Sequence, residues 1–483
     1  MNTLINRCQL STNLILMIIL LTGCKSKYKN DVTILYEGEK IPGVDFEEAS
    51  LNYKNYCAGC HGNNLEAFVN RDWVYGKDPD NVFISIKEGK SDIGMPGFKE
   101  AFTDKQVNDL VYYLLIEGKE KTFTASVESE GESVHVTEKQ RFKVDTVLSG
   151  MNIPWGMEFL PNGDLLVSER AKLLLRLTRD GRLDTIQGLP EIFRFGQGGL
   201  LDIELHPNYE KNGWIYLAYS YPAPNPKKDG GNTAIMRAKI EGNMLTSHEV
   251  LFKAEPYTRK GAHFGCRLEF DRKGYLYFSV GDRGQRNNAQ LLDNHNGKIH
   301  RIFDDGSIPS DNPFVNNPQA KQTIYSYGHR NPQGVAMHPE TGEIWTHEHG
   351  PKGGDEVNII QKGKNYGWPK ITYGINYNGT IITKDTAMAG MEQPLIYYVP
   401  SIAPCGMTFV KGNLYKGWKN SLLIGSLRFM YLERCEVVGN KIVHQEKLLE
   451  GIGRVRNVEM SPDGYIYVAI EKPGKILKLI PIE

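Results

Sequence analysis

Cys57-Ala58-Gly59-Cys60-His61 places two thiols one helical turn apart, with an imidazole directly behind the second. Each thiol can bond one vinyl group of a single porphyrin while His61 faces the iron, which is the c-type haem attachment pattern. An electron-carrying haem needs a second axial ligand. Met95, in Gly94-Met95-Pro96-Gly97-Phe98, is the only methionine between residue 24 and Met151. A thioether there raises the iron's potential, and Pro96 stiffens its loop. Other residues suit other chemistry. His263, in GAHFGCR, is placed as a general base because imidazole titrates near neutrality. Gln197 lies among glycines that allow close backbone approach. Arg330-Asn331, Arg428, and Arg454 with Arg456 at i and i+2 of a strand pattern carry donors that match carboxylates. Such a cluster repels itself unless an anion sits in it, and a polycarboxylate is the natural counter-ligand. A Gly- and Pro-held turn with Glu348, Gly350, Pro351, Asp355 and Glu356 offers oxygens that suit calcium. Plain structural roles stand beside these readings: Met95 as a core residue, His263 as a packed histidine, and residues 327–369 as a solvated loop.

The elements that position these groups follow from composition and period. At 483 residues the chain exceeds one ordinary core, so two or more domains are expected. Its 57 basic and 57 acidic residues balance, which argues against a nucleic-acid surface. Arg7 followed by the apolar run 14–21 (LILMIILL) predicts a signal segment too short to span a membrane comfortably. Cys8 leaves with that segment. Cys266, Cys405 and Cys435 are an odd remainder, so no disulfide framework is expected and they are read as buried thiols. Residues 103–115 (TDKQVNDLVYYLL) read as a helix with Thr103 as N-cap and Val107, Leu110, Val111 and Leu114 on one face. Residues 119–141 are Glu-, Lys- and Ser-rich and read as a linker, whose 20 or so flexible residues span roughly 25 Å.

From residue 142 a unit recurs: an alternating apolar run, a Pro-, Asp- or Asn-Gly turn, then a second alternating run. It starts near Met157, Leu201, Arg267, Val335, Met407 and Val458. Six unevenly spaced hairpins predict an all-β six-bladed propeller, preceded by a small all-α domain; a pair of β-sandwiches is the alternative. In a propeller, loops from distant parts of the chain meet on one face around the axis, as the scattered arginines require.

Three resemblances extend this reading. Leu21-Thr22-Gly23-Cys24 resembles the lipobox of bacterial lipoproteins, implying a signal peptide at 1–23, a lipid on Cys24 and a tether over 24–45. Residues 46–118 resemble a class I cytochrome c. The stretch from Met151 to Leu479 resembles the PQQ-dependent glucose and aldose sugar dehydrogenases, the glucose/sorbosone dehydrogenase family. It is carried by IPWGMEFLPNGDLLVSER, GQGGLLDIELHP, HFGCRLEFDRKGYLYFSVGDRG, NHNGKIHRIFDDGSIPSDNPF, GHRNPQG, EHGPKGGDEVN, NYGWP, PSIAPCGM and GRVRNV in family order.

The dehydrogenase resemblance implies His263 as catalytic base, Gln197 against sugar and quinone, and Arg330 over the reaction centre. It implies Asn331, Tyr377, Ser401, Arg428, Arg454 and Arg456 as PQQ-binding residues over 142–483. It also implies the Gly350 and Pro351 carbonyls as calcium ligands, with Glu356 and Tyr366 at a further calcium site. Cys266, Cys405 and Arg428 depart from the family's Gly, Ser and Lys. Ala262 replaces an acidic neighbour of the base, which favours a broader aldose specificity over glucose. The resulting expectation is a lipid-anchored envelope enzyme, in the periplasm or outside the cell. It oxidises a sugar with PQQ and calcium and passes electrons through haem c to a respiratory acceptor. A non-catalytic carbohydrate-binding propeller and an enzyme for a non-sugar alcohol are the alternatives.

Overall fold

The computed structural model describes residues 43–61, 65, 75–76, 78–90, 94–120, 134–471 and 474–482. The expected signal peptide, Cys24, nearly all of the tether and linker residues 121–133 lie outside the described residues, as does the side chain of Cys60. No helix among the described residues is long and apolar enough to cross a membrane.

The N-terminal part is helical. Asp45 caps the helix Phe46–Asn52 by accepting the Glu48 N–H at 2.9 Å. A π-turn at Tyr53–Cys57 carries the chain on into Ala58–His61. Pro79–Glu88 is capped by Asp78. The expected helix is present as Asp104–Glu120, and Thr103 and Gln106 bond each other's backbone N–H reciprocally at 3.3 and 3.0 Å. This capping box contributes about 1 kcal/mol. Val107, Leu110, Val111 and Leu114 are all buried, packed with Tyr53, Phe98 and Phe102.

The remainder is a six-bladed propeller of antiparallel sheets. The innermost strands are Pro154–Phe159, Leu200–Leu205, Leu268–Phe270, Pro332–Met337, Pro404–Phe409 and Arg454–Met460. Each pairs with the next strand of its blade, so the six hairpins read from the sequence are the first two strands of each blade. The ring closes when Arg141–Met151, from the N-terminal side, pairs with Gly474–Ile482 of the last blade. Val134–Val136, inside the stretch read as linker, adds a fifth strand to that sheet because its backbone groups find partners on Arg141–Lys143. The helices and the propeller belong to one compact unit, Asp45–Glu483.

One buried arginine ties the axis. Arg267 pairs with Asp202 at 2.7 Å and donates to the carbonyls of Gln333 (3.1 Å) and Arg456 (2.8 Å), while its guanidinium lies 4.1 Å from the centre of the Trp155 ring. Those partners come from four other blades. Cys266, Cys405 and Cys435 are buried thiols, as expected.

Candidate functional site

His263 precedes the innermost strand of the third blade, and its backbone is left-handed (φ 56°), a conformation costly for a residue with a side chain. Two neighbours impose it. The Gln197 side-chain oxygen accepts the His263 N–H at 2.8 Å, and Gly281 leaves room for the His263 carbonyl, which lies 2.3 Å from where a Cβ would stand. Asp282, just past the second strand of the same blade, takes His263 Nδ1 at 2.6 Å. Trp368 donates its indole N–H to the other Asp282 oxygen at 2.8 Å. A carboxylate accepts only, so Nδ1 carries the proton and Nε2 is the basic atom. Burial, then the Arg330 charge, hold the imidazole below its ordinary pKa, partly offset by Asp282. Burial alone would raise Asp282, but the charges of His263 and Arg330 keep it low, hence ionised. Asp282 and Trp368 were not singled out in the sequence; the Val280-Gly281-Asp282 step off a strand is the signal that could have found the carboxylate.

Arg330 stands between this base and the acidic turn. Its guanidinium donates to the carbonyls of His349 (3.1 Å) and Gly350 (2.8 Å), 5.5 Å from the Trp368 ring centre. Glu348 accepts the Arg330 backbone N–H at 2.5 Å and holds His329 at 2.8 Å. Asp355 gathers the turn by accepting from Gly350 N–H, Ser401 Oγ and Ala403 N–H, all within 2.8 Å. Ser401 also reaches the Pro351 carbonyl at 3.2 Å, and Arg428 donates to the Ser401 carbonyl at 3.1 Å. Asn331 is buried, its oxygen accepting from Gly265 N–H at 3.3 Å.

Arg454 and Arg456 do project together, and both reach Glu471, at 2.6 and 3.2 Å. Their counter-charge, expected from a ligand, comes in part from Glu471 on the next strand. Among the described residues, Arg456 keeps a buried Nε with no partner. Arg330 donates to the carbonyl of the half-buried His349, whose Nε2 donates to the Pro404 carbonyl at 2.8 Å, and Arg456 donates to the adjoining Cys405 Sγ at 3.3 Å. Guanidinium groups from the fourth and sixth blades therefore converge, and the orphaned Nε is a donor that a carboxylate-bearing ligand fits.

A pocket beside Arg330 is lined by Glu348, Gly350, Glu356, Tyr366 and Trp368. Burial and the charge of Glu348 push Glu356 up to about 8. Two carboxylates forced together in this way fit a divalent cation. No cluster of three or more His, Cys, Asp or Glu side chains forms a metal cage among the described residues, so backbone oxygens must complete any such site. The Tyr366 hydroxyl is committed to the Ile359 carbonyl (2.5 Å) and the Gln361 N–H (2.9 Å), so its side chain is turned to the blade interior. Tyr377 packs against the apolar cluster of the helical part, together with Cys57 and Met95. An apolar cluster bordered by Cys57 and Met95 is the setting a porphyrin fits.

The pattern of the Glucose / Sorbosone dehydrogenase family matches residues 151–478, and that of Cytochrome C oxidase, cbb3-type, subunit III matches residues 45–114. Aldose sugar dehydrogenase YliI of Escherichia coli (strain K12) is 40% identical over 346 residues, covering 70% of this chain and 92% of that protein. The crystal structure of the soluble aldose sugar dehydrogenase from Escherichia coli in the apo-form superposes with a TM-score of 0.68. It is 38% identical and covers 71% of this chain and all of that one. The PQQ-bound form of the aldose sugar dehydrogenase from Streptomyces coelicolor gives 0.59 at 28% identity, covering 72% and 98%.

Proposed function

Because the chain belongs to the Glucose / Sorbosone dehydrogenase family, an oxidoreductase family, we propose that it oxidises aldose sugars or related hydroxylated substrates at the His263 site. The observation that carries this reading is the His263–Asp282 pair set beside convergent arginines. Bound PQQ would supply the two-electron acceptor for the hydride lost from the sugar carbon. Arg456, Arg454, Arg428, Asn331, Ser401 and Tyr377 would hold it, with the orphaned Arg456 Nε as a ready donor. His263 takes the proton of the substrate hydroxyl on Nε2, while Asp282 stabilises the imidazolium that forms. Gln197 holds the His263 backbone and Arg330 places positive charge beside the reacting oxygen. Calcium would rest on the Gly350 and Pro351 carbonyls, with a second ion at Glu356, Glu348 and the Tyr366 backbone. Lewis-acid polarisation of the quinone is the chemistry it would supply.

Residues 46–118 are read as a cytochrome c domain, in which Cys57 and Cys60 would hold haem covalently and His61 and Met95 would serve as ligands of its iron. The match over 45–114 and the shared apolar cluster support this. Bound haem would supply one-electron chemistry, an outlet from the reduced site towards a respiratory acceptor. Residues 1–23 would be removed and Cys24 lipidated, anchoring the enzyme to a membrane on its periplasmic or outer side. The test is protein reconstituted with PQQ and calcium, assayed for dye bleaching and haem reduction across a panel of aldoses. His263→Ala should lower turnover on the order of a thousandfold or more while PQQ absorbance still titrates. Near-normal turnover in that variant removes the base assignment, and no quinone absorbance change in the parent favours a carbohydrate-binding propeller.

A further inference from the structure

The helical part touches the propeller next to the site. A Cβ built on Gly94, the residue before Met95, would stand 2.7 Å from the Ala262 Cβ, so the Met95 loop abuts the residue that precedes the base. The Lys352 ammonium sits 3.8 Å from the centre of the Tyr56 ring, one residue before Cys57. Lys352 itself follows the Gly350-Pro351 turn. Tyr377 is packed into the apolar cluster of the helices. All three propeller residues border site groups: Ala262 on His263, Lys352 on Pro351, and Tyr377 as a cofactor-binding candidate. Their partners flank the two ends of the haem-binding pattern.

From this juxtaposition we propose that the helical part docks over the mouth of the His263 pocket. Docking and the entry of sugar or quinone then exclude one another. The reading rests on the dehydrogenase assignment above and adds an order to it: the helical part lifts for the substrate and returns to receive electrons. Gly94 suits the docked state in particular, since its left-handed backbone (φ 83°) and missing side chain bring the Met95 loop onto Ala262. Lys352 over Tyr56 adds a cation–π attraction whose loss loosens the contact without touching the base.

The test uses full-length protein carrying its haem, with PQQ as the probe. In Tyr56→Cys/Lys352→Cys, where the two native side chains meet end to end, a short bis-methanethiosulfonate linker should join the new thiols, seen as loss of two titratable thiols. The joined protein should take up PQQ at least tenfold more slowly than the same sample after dithiothreitol, followed by quinone absorbance. Equal uptake in the two states overturns the proposal. Lys352→Glu needs no new thiol. It should speed PQQ uptake and slow haem reduction by substrate at least threefold, with dye-coupled kcat unchanged; unchanged uptake and haem reduction count against docking. Failure of the two readings is distinguishable. Released protein that binds PQQ but oxidises no aldose removes the dehydrogenase reading and leaves docking intact. Joined protein that turns aldose over at the released rate removes docking and leaves the dehydrogenase.

Discussion

His263 Nδ1 lies 2.6 Å from Asp282 Oδ1, and the second Asp282 oxygen is held by Trp368, 86 residues further along the chain. The carboxylate thus fixes the imidazole's tautomer and ring plane before any substrate arrives. It remains ionised beside Arg330, so it can balance the charge that proton abstraction creates.

Asp282→Asn should therefore keep the fold and lower kcat on the order of 10²–10⁴-fold. The pH profile carries the second readout. Burial and Arg330 already place the His263 pKa below that of a free imidazole, so the base form dominates at neutral pH and rate is lost only towards acid. Removing the Asp282 charge, which pulls that pKa up, should move the acid limb to still lower pH. Stopped-flow rates between pH 4 and 8 decide it; an unchanged limb would show that Asp282 does not act through His263.

Arg456 differs from Arg454 in having a buried donor left over. Charge-assisted bonds to a carboxylate are worth about 1.5–3 kcal/mol. Arg456→Ala should weaken PQQ binding roughly 10–150-fold in an absorbance titration. Arg456→Lys, with charge but no fork, should recover only part of that. Equal affinity in all three proteins would place the cofactor elsewhere.

The Glu356 pKa gives a sign that can be checked against pH. Its folded value, about 8, lies above the ordinary carboxylate value of 4.5. In calcium-free protein its contribution to stability is full below about 4.5 and is lost as pH rises through 8. Calcium favours the charged form, so the thermal midpoint at pH 8–9 should rise by roughly 5 °C or more when chelator is replaced by calcium. Glu356→Gln should flatten the pH dependence and remove most of the calcium response in calorimetry.

Arg267 is a stability prediction with no cofactor in it. Arg267→Met leaves Asp202 buried without its ion partner and unties four blades at once. Loss of one partner of a buried pair costs about 3–5 kcal/mol. Adding Asp202→Leu to Arg267→Met should restore part of it, because burial already disfavours the Asp202 charge. Denaturant midpoints of the single and double variants measure the coupling.

Local periodicity determined a good deal of this protein. The face Val107–Leu110–Val111–Leu114, the Thr103 cap and the two-strand core of each blade follow from residues two to four apart, where neighbours along the chain are neighbours in space. So did the list of chemical groups: a haem-attachment pattern, a candidate base, and arginines in want of an anion. Only the tertiary structure decided how those groups are paired. Asp282 and Trp368 reach His263, Glu471 divides itself between Arg454 and Arg456, and Gly474–Ile482 takes up Arg141–Met151 to close the ring. The same holds for Tyr56 on Lys352 and for Gly94 on Ala262. Each of these contacts depends on how loops converge once six blades have closed about one axis, and the period of any single strand carries no record of that closure.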